Sequence, residues 1–367
     1  MRTVGLFTIY ICNYGAVLQT YALKKYIETE FNDINVSVVD FYSRAPYRIF
    51  NTATTSILKR LLKNGLILCH FSSLYLRNYR EKVFIMEEFN LSERFEDVDN
   101  LLKQMPKFDF YLTGSDQVFN MNSLYSPLFF QQFDVKKGIK AAYAPSFGIS
   151  AFSDADKRNF KQLTKDFDYL SCREDDGAKM LSEIHGRNIP CVVDPTLLLS
   201  AEQWKEMMIE PVTSDQYLLV YDLNGGIPML QVARRIAKEK GLKLYCITRH
   251  PDISYIYKDV DKVVFDAGPR EFVGYFVRAA YVVTDSFHGT VFSLIFHKDF
   301  NTYIAVPRAS QRIKSLLNIC GLTSRIIENI NEINTLESCS LLFKESSIME
   351  YRQSSIDYLS LIFTSEK

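Results

Sequence analysis

The chain reads as an α/β protein made of two doubly wound parallel sheets facing each other across a cleft. Three observations predict this. Short apolar, β-branched runs alternate with helical patterns throughout, and strands separated by helices of that length pair in parallel. At 367 residues the chain exceeds one ordinary core and suits two units of roughly 150 residues each. Finally, 47% of the residues are apolar, enough to fill two cores. We place one unit over 1–200 and a second over 212–330. A closing helix within 338–367 is expected to pack back onto the first unit.

The elements follow in order. Residues 4–9 form a strand that runs into a turn at Asn13-Tyr14-Gly15. The run is too short for a signal peptide and lacks a small-x-small cleavage site. A helical pattern over 16–31 leads to a strand at 36–41. The strand at 108–113 ends in Gly114-Ser115-Asp116, and that at 140–144 in Pro145-Ser146-Phe147-Gly148. After a helix near 155–166 come short strands at 169–172 and 191–193.

In the second half, strand 217–221 passes through Asn224-Gly225-Gly226 into a helix ending near Gly241. Strands follow at 244–248 and 263–265, then a helix over 269–279 and a strand at 281–284. The strand at 301–305 leads through Val306-Pro307-Arg308 to a helix carrying Arg312. The last helical pattern covers 341–363.

Balanced charge, with 43 basic and 43 acidic residues, argues against a general nucleic-acid binder. Seven widely spaced cysteines without a C-x-x-C read as reduced thiols of a cytoplasmic protein. The five histidines are dispersed, so no metal site is expected, and no run reaches the ~18 apolar residues of a spanning helix. One segment stands apart. Between Phe41 and Ile85 lie eight basic residues (Arg44, Arg48, Lys59, Arg60, Lys63, Arg77, Arg80 and Lys82) against Glu81 alone. The leucines interleaved with them predict a basic helical insertion over about 44–85. Such an insertion either rests on the anionic inner face of the plasma membrane or packs internally with solvated charges.

The most informative run is Tyr281-Val-Val-Thr-Asp-Ser-Phe-His288-Gly289. It sets His288 in the first turn of a helix, at the carboxyl end of a strand. That crevice is where open α/β sheets bind ligands, and helix amides there face an anion.

Taken together, Asn13-Tyr14-Gly15, Leu18-Gln19, Thr113-Gly114-Ser115-Asp116-Gln117-Val118-Phe119-Asn120, Ala142-Tyr143-Ala144-Pro145-Ser146-Phe147-Gly148, Ser171-Cys172-Arg173-Glu174, Val193-Asp194-Pro195-Thr196-Leu197 and Asp285-Ser286-Phe287-His288-Gly289 resemble, in this order, the polysaccharide pyruvyl transferase family. The resemblance covers about residues 3–325. Phe119 stands where Trp is usual, and Cys172 where Val is commoner. The resemblance implies a GT-B arrangement of two Rossmann-like domains. It also implies transfer of pyruvate from phosphoenolpyruvate onto two hydroxyls of a sugar in a surface-polysaccharide precursor, forming a cyclic ketal and releasing phosphate. No cofactor is expected beyond this donor substrate, and the acceptor sugar could be lipid-linked.

That chemistry needs a proton donor, a partner for the hydroxyls and fixed positive charge for a carboxylate and a phosphate. His288 is the candidate acid/base: its helix N-terminus disfavours the imidazolium, and a bound polyanion favours it. Arg173, Arg312 and Arg249 are donor-clamp candidates, with Ser286, Phe287 and Gly289 at the helix start. Arg173 could instead pair with Glu174 or Asp175. Asp116 is assigned to orienting or deprotonating a hydroxyl, and Gln117 to binding one. Asn13, Tyr14, Tyr143 and Phe147 are acceptor candidates. A nucleotide-sugar glycosyltransferase and a non-enzymatic, membrane-associated glycan-binding protein remain as alternatives.

Overall fold

The computed structural model describes residues 1–11, 13–41, 57–95, 97–148, 151–224, 226–304, 311–330 and 345–365. Expectations placed on Arg44, Arg48, Gly225 and residues 305–308, and on the side chains of Lys59 and Arg60, lie outside them.

Two all-parallel sheets organise the chain. The first contains β1 (Arg2–Phe7), β2 (Ile34–Val38), β3 (Phe110–Thr113) and β4 (Ile139–Ala142), in the order β2-β1-β3-β4. The second contains β5 (Tyr217–Asp222), β6 (Lys243–Thr248), β7 (Lys262–Val264), β8 (Tyr281–Thr284), β9 (Asp299–Tyr303) and β10 (Ile326–Ile327). Its order, β10-β9-β8-β5-β6-β7, is that of a dinucleotide-binding sheet. β3, β4, β5 and β8 are buried along their whole length, as parallel strands covered on both faces must be. The strand order reverses between β1 and β3 in one sheet and between β5 and β8 in the other, so each sheet opens a crevice there. The expected strands at 169–172 and 191–193 shrink to single parallel bridges, Ala141 with Tyr169 and Cys172 with Cys191. These bridges still carry the sheet outward past β4.

The helices of the first half are α1 (Tyr14–Glu30), α2 (Ile57–Cys69), α3 (Phe71–Glu88), α4 (Val98–Lys103), α5 (Ser126–Phe129), α6 (Asp154–Leu163), α7 (Asp175–His185) and α8 (Ala201–Met207). Those of the second are α9 (Ile227–Lys240), α10 (Pro269–Arg278), α11 (Phe287–Ile295), α12 (Gln311–Ile319) and α13 (Glu345–Thr364). Sequence periodicity missed α7 and α8. Ser200 nevertheless closes a capping box with Gln203 at the start of α8, a local signal that was present.

The two halves meet in an aromatic seam. Trp204 of α8, fully buried, lies between Tyr21 of α1 (5.7 Å) and Phe292 of α11 (5.0 Å). Tyr14 stacks on Phe272 of α10 at 4.5 Å. α13 follows the second half in sequence but joins the first sheet, where Phe363 packs edge-on against Phe110 at 5.0 Å.

The basic insertion forms the α2–α3 hairpin and turns much of its charge inward. Lys63 pairs with Asp252 at 3.2 Å, and Arg80 with Asp266 at 3.2 Å and Glu271 at 3.0 Å. Arg77 is buried. The expectation of a charged platform for an anionic leaflet is therefore corrected for Lys63 and Arg80, whose charge docks the hairpin onto the second half, and for Arg77, which is buried. What α3 presents outward is a row of Phe71, Tyr75, Tyr79 and Met86 at four- and seven-residue spacing. Among the described residues no helix is long and apolar enough to cross a membrane.

Candidate active site

Apart from Arg312, which lies at the start of α12, the chemically useful side chains of the site sit at the carboxyl ends of strands or bridges. Asp116 follows β3, Arg173 and Asp194 follow the two bridges, and His288 follows β8. Ser286 caps α11 by accepting from the Gly289 amide at 3.3 Å, which fixes the turn that carries His288. The imidazole is buried between the two halves. On one side it meets the first turn of α1, where a Cβ on Gly15 would lie 2.0 Å from His288 Nδ1. Only a residue without a side chain lets the histidine stand there. Gly15→Ala should therefore displace the imidazole and lower turnover by about 10²-fold, the cost of a roughly 1 Å misplacement. A variant with a native circular-dichroism spectrum and wild-type turnover would contradict this.

On its other side, His288 Nε2 lies 3.5 Å from Asp194 Oδ2 at ion-pair distance, without forming a hydrogen bond. Asp194 is the hub that sequence reading did not select. It is 1% exposed, and its Oδ1 accepts from the Thr196 amide (3.0 Å) and hydroxyl (2.6 Å). Its Oδ2 takes Arg173 Nη1 at 2.7 Å. Burial opposes the carboxylate, but His288 and then Arg173 outweigh it and hold the carboxyl well below its usual range.

Arg173 is almost sealed and faces three carboxylates: Asp194, Asp116 at 3.4 Å and Glu174 at 3.6 Å. Burial works against its charge, and the three acids more than compensate, pushing its pKa up. Its closest partner is Asp194, and of the adjacent acids suggested by sequence Glu174 is also paired with it. Arg312 approaches the same Asp116 at 3.9 Å. With its amide turned to satisfy both partners, Gln117 accepts from Arg312 at 3.0 and 3.3 Å. Both guanidiniums lie against the Phe287 ring, at 4.8 Å for Arg173 and 5.7 Å for Arg312. Burial, and next the neighbouring Arg173, push the pKa of Arg312 down. An added anion would relieve that crowding.

Asp116 itself has φ +68° and ψ −166°, a region nearly confined to glycine. The amides of Val118 and Ser146 both bond its carbonyl at 2.8 Å, while the two arginines hold its carboxylate. The surroundings over-determine this conformation, as strained functional residues require.

The structure thus gathers Asp116, Gln117, Arg173, Phe287, His288 and Arg312, and adds Asp194 and Glu174. Other expectations are corrected. Tyr143 is fully buried and donates to the Val193 carbonyl at 3.0 Å. Phe147 packs among Phe119, Phe152 and Phe160. Tyr14 donates to the Ala267 carbonyl at 2.7 Å and belongs to the seam. None of these three offers a face to a sugar. The Asn13 side-chain oxygen is committed to capping α1. Gly289 is small because Thr284 lies behind it, 2.4 Å from where its Cβ would be, rather than for a ligand. Arg249 is engaged elsewhere, with Glu81 at 3.1 Å and over the Tyr14 ring at 5.3 Å.

A cavity of about 20 Å³ touches Arg173, Asp194, Phe287, Arg312 and Tyr351. Beside it opens a polar groove of about 610 Å³ between α7 and α12, lined among others by Glu174, Asp176, Gln311, Lys314 and Asn318. Among the described residues no group of three or more His, Cys, Asp or Glu is placed to hold a metal ion.

Solved structures similar to this chain include two UDP-GlcNAc 2-epimerases. The UDP-GlcNAc 2-epimerase of Methanocaldococcus jannaschii, in complex with UDP-GlcNAc and UDP, superposes with a TM-score of 0.53 at 12% identity, covering 99% of each chain. That of Neisseria meningitidis bound to UDP-GlcNAc gives 0.50 at 12% identity, covering 98% of this chain and 100% of the other. At such identity the likeness establishes the fold alone: two Rossmann-like halves in the GT-B arrangement. A search of curated sequences finds no match. The sequence itself, over residues 13–301, matches the family described as polysaccharide pyruvyl transferase. The chain belongs to that family, and so is a transferase with a sugar acceptor.

Proposed function

We propose that the protein transfers pyruvate from phosphoenolpyruvate onto two hydroxyls of a sugar in a surface-polysaccharide precursor, forming a cyclic ketal. The observation that supports this best is one cluster holding two guanidiniums and a His–Asp pair at the facing crevices of the two sheets. A donor with a carboxylate and a phosphate needs the first, and proton transfer needs the second.

His288 delivers a proton to the methylene carbon of the donor, leaving positive charge on the carbon that bears phosphate and carboxylate. Asp194 supports the imidazolium and fixes its ring. One acceptor hydroxyl adds to that carbon, its proton passing to the site's base. Phosphate then leaves and the second hydroxyl closes the ring. Of the two hydroxyl protons, one replaces that given to the new methyl group and the other leaves with phosphate as HPO₄²⁻. Asp116, held by Arg173 and Arg312, orients the hydroxyls. The polar groove beyond Glu174 suits a polyhydroxylated acceptor.

Three carboxylates surround Arg173, so its charge is internally matched. Among the described residues Arg312 has Gln117, the Phe287 ring and a 3.9 Å approach to Asp116, which makes it the arginine that can change partners. Arg312→Gln should weaken phosphoenolpyruvate binding by about tenfold or more, roughly 1.4 kcal/mol, with little change in Tm. Arg173→Gln should destabilise the fold by about 3–5 kcal/mol, because it strands buried acids. Calorimetry and thermal melts of both variants check the assignment, and the opposite pattern would make Arg173 the clamp.

The reading as a whole is tested by following phosphate release from phosphoenolpyruvate with a panel of oligosaccharide acceptors. Acceptor-dependent release with pyruvate retained on the glycan supports it. Turnover of a nucleotide sugar without any use of phosphoenolpyruvate would replace it.

A further inference from the structure

A second cationic centre lies one residue along from the Gly15–His288 contact. Arg77 of α3 is nine-tenths buried, and its Nε and Nη1 make no hydrogen bond. Arg249, at the carboxyl end of β6, lies over the Tyr14 ring and holds Glu81 Oε2 at 3.1 Å. Glu81 is 1% exposed, holds Arg249 and lies one helical turn along α3 from Arg77, its Oε1 also without a hydrogen bond. The neighbouring acids are engaged elsewhere: Asp266 and Glu271 with Arg80, and Asp252 with Lys63. Glu81 is thus taken by Arg249, and among the described residues no carboxylate stands within ion-pair distance of Arg77, whose positive charge is buried unpaired. A buried charge is stable when paired, and guanidinium forks match planar or tetrahedral oxyanions. The Arg249 side chain keeps 17% of its surface exposed, and that edge is the way to the centre.

We propose that Arg77 and Arg249 form an anion subsite, separate from the donor clamp, that takes a singly charged oxyanion carried by the acceptor glycan. The chemistry fits a uronic-acid carboxylate or a phosphodiester. The proposal rests on the sugar-acceptor reading for the identity of its ligand. It makes the hairpin α2–α3 a selector for acidic glycans.

The test titrates methyl glucuronide, a methyl glycosyl phosphodiester and neutral methyl glucoside into protein already saturated with phosphoenolpyruvate. The donor titration comes first, so a failure of donor binding is seen separately from a failure of this subsite. At least one charged ligand should bind tenfold or more tighter than the neutral one, and which one identifies the oxyanion. Arg77→Met should abolish that preference while keeping or raising Tm, since it removes an unmatched buried charge. Arg77→Lys should retain part of it. Equal binding of all three ligands overturns the proposal, as does an unchanged preference in Arg77→Met. A fall in Tm or failure of Arg77→Met to fold would make the arginine structural and also overturn it.

Discussion

His288→Gln should lower acceptor-dependent phosphate release by about 10²-fold or more, the usual cost of losing a positioned acid/base. Glutamine fills a similar volume between Gly15 and Asp194, so the seam closes as before and Tm should stay within a few degrees. Phosphoenolpyruvate affinity should survive as well, because the guanidiniums come from other elements. The signature is a fall in kcat with donor binding retained. His288→Ala should show the same loss of turnover. A folded variant of either kind with near-normal phosphate release would remove His288 from the mechanism.

Asp194→Asn should be the more damaging change to the whole molecule. It leaves Arg173 Nη1 without its anion and His288 without electrostatic support, in a position closed to water. Breaking a buried pair by removing one partner costs about 3–5 kcal/mol, so Tm should fall by many degrees. Turnover should drop by on the order of 10³ or more, combining loss of imidazole orientation with disturbed arginine geometry. The pH dependence has a definite sign. The Asp194 carboxyl titrates well below the roughly 3.9 of an unfolded aspartate, so its stabilisation is complete above about pH 5 and fades as the pH falls further. Denaturant titrations between pH 2 and 6 should show this acid-side loss in the wild type and not in Asp194→Asn. A parallel loss in both proteins would place the acid-sensitive group elsewhere.

What sequence could reveal of this site was set by chain-local chemistry. A β-branched run stopping at Asp285-Ser286 before an apolar helix is enough to place His288, and Gly114-Ser115-Asp116 marks another strand end in the same way. The partners of these residues are a different matter. Asp194 meets Arg173 and His288 from 21 residues before and 94 after, a pairing made only when the sheet and the seam assemble. The aromatics misled for a related reason. Tyr14, Tyr143 and Phe147 sit in motifs beside functional residues, yet each points into packed core. Neither composition nor spacing says which way a ring faces. The hairpin shows the same limit for charge: seven excess positives look like a surface until Lys63, Arg77 and Arg80 are seen turned inward.

α13 is the last described element along the chain, yet it completes the first sheet. Leu359, Ile362 and Phe363 are fully buried there, Tyr358 donates to the Ala142 carbonyl at 2.9 Å, and Ser355 bonds the Val193 amide beside Asp194 at 2.9 Å. During synthesis the first half therefore emerges with an open apolar flank, which stays uncovered while more than a hundred further residues are added. The newborn chain must shield that flank on the ribosome or rely on a chaperone to do so. Stopping translation ahead of Glu345 should leave an aggregation-prone product even though both sheets are already encoded.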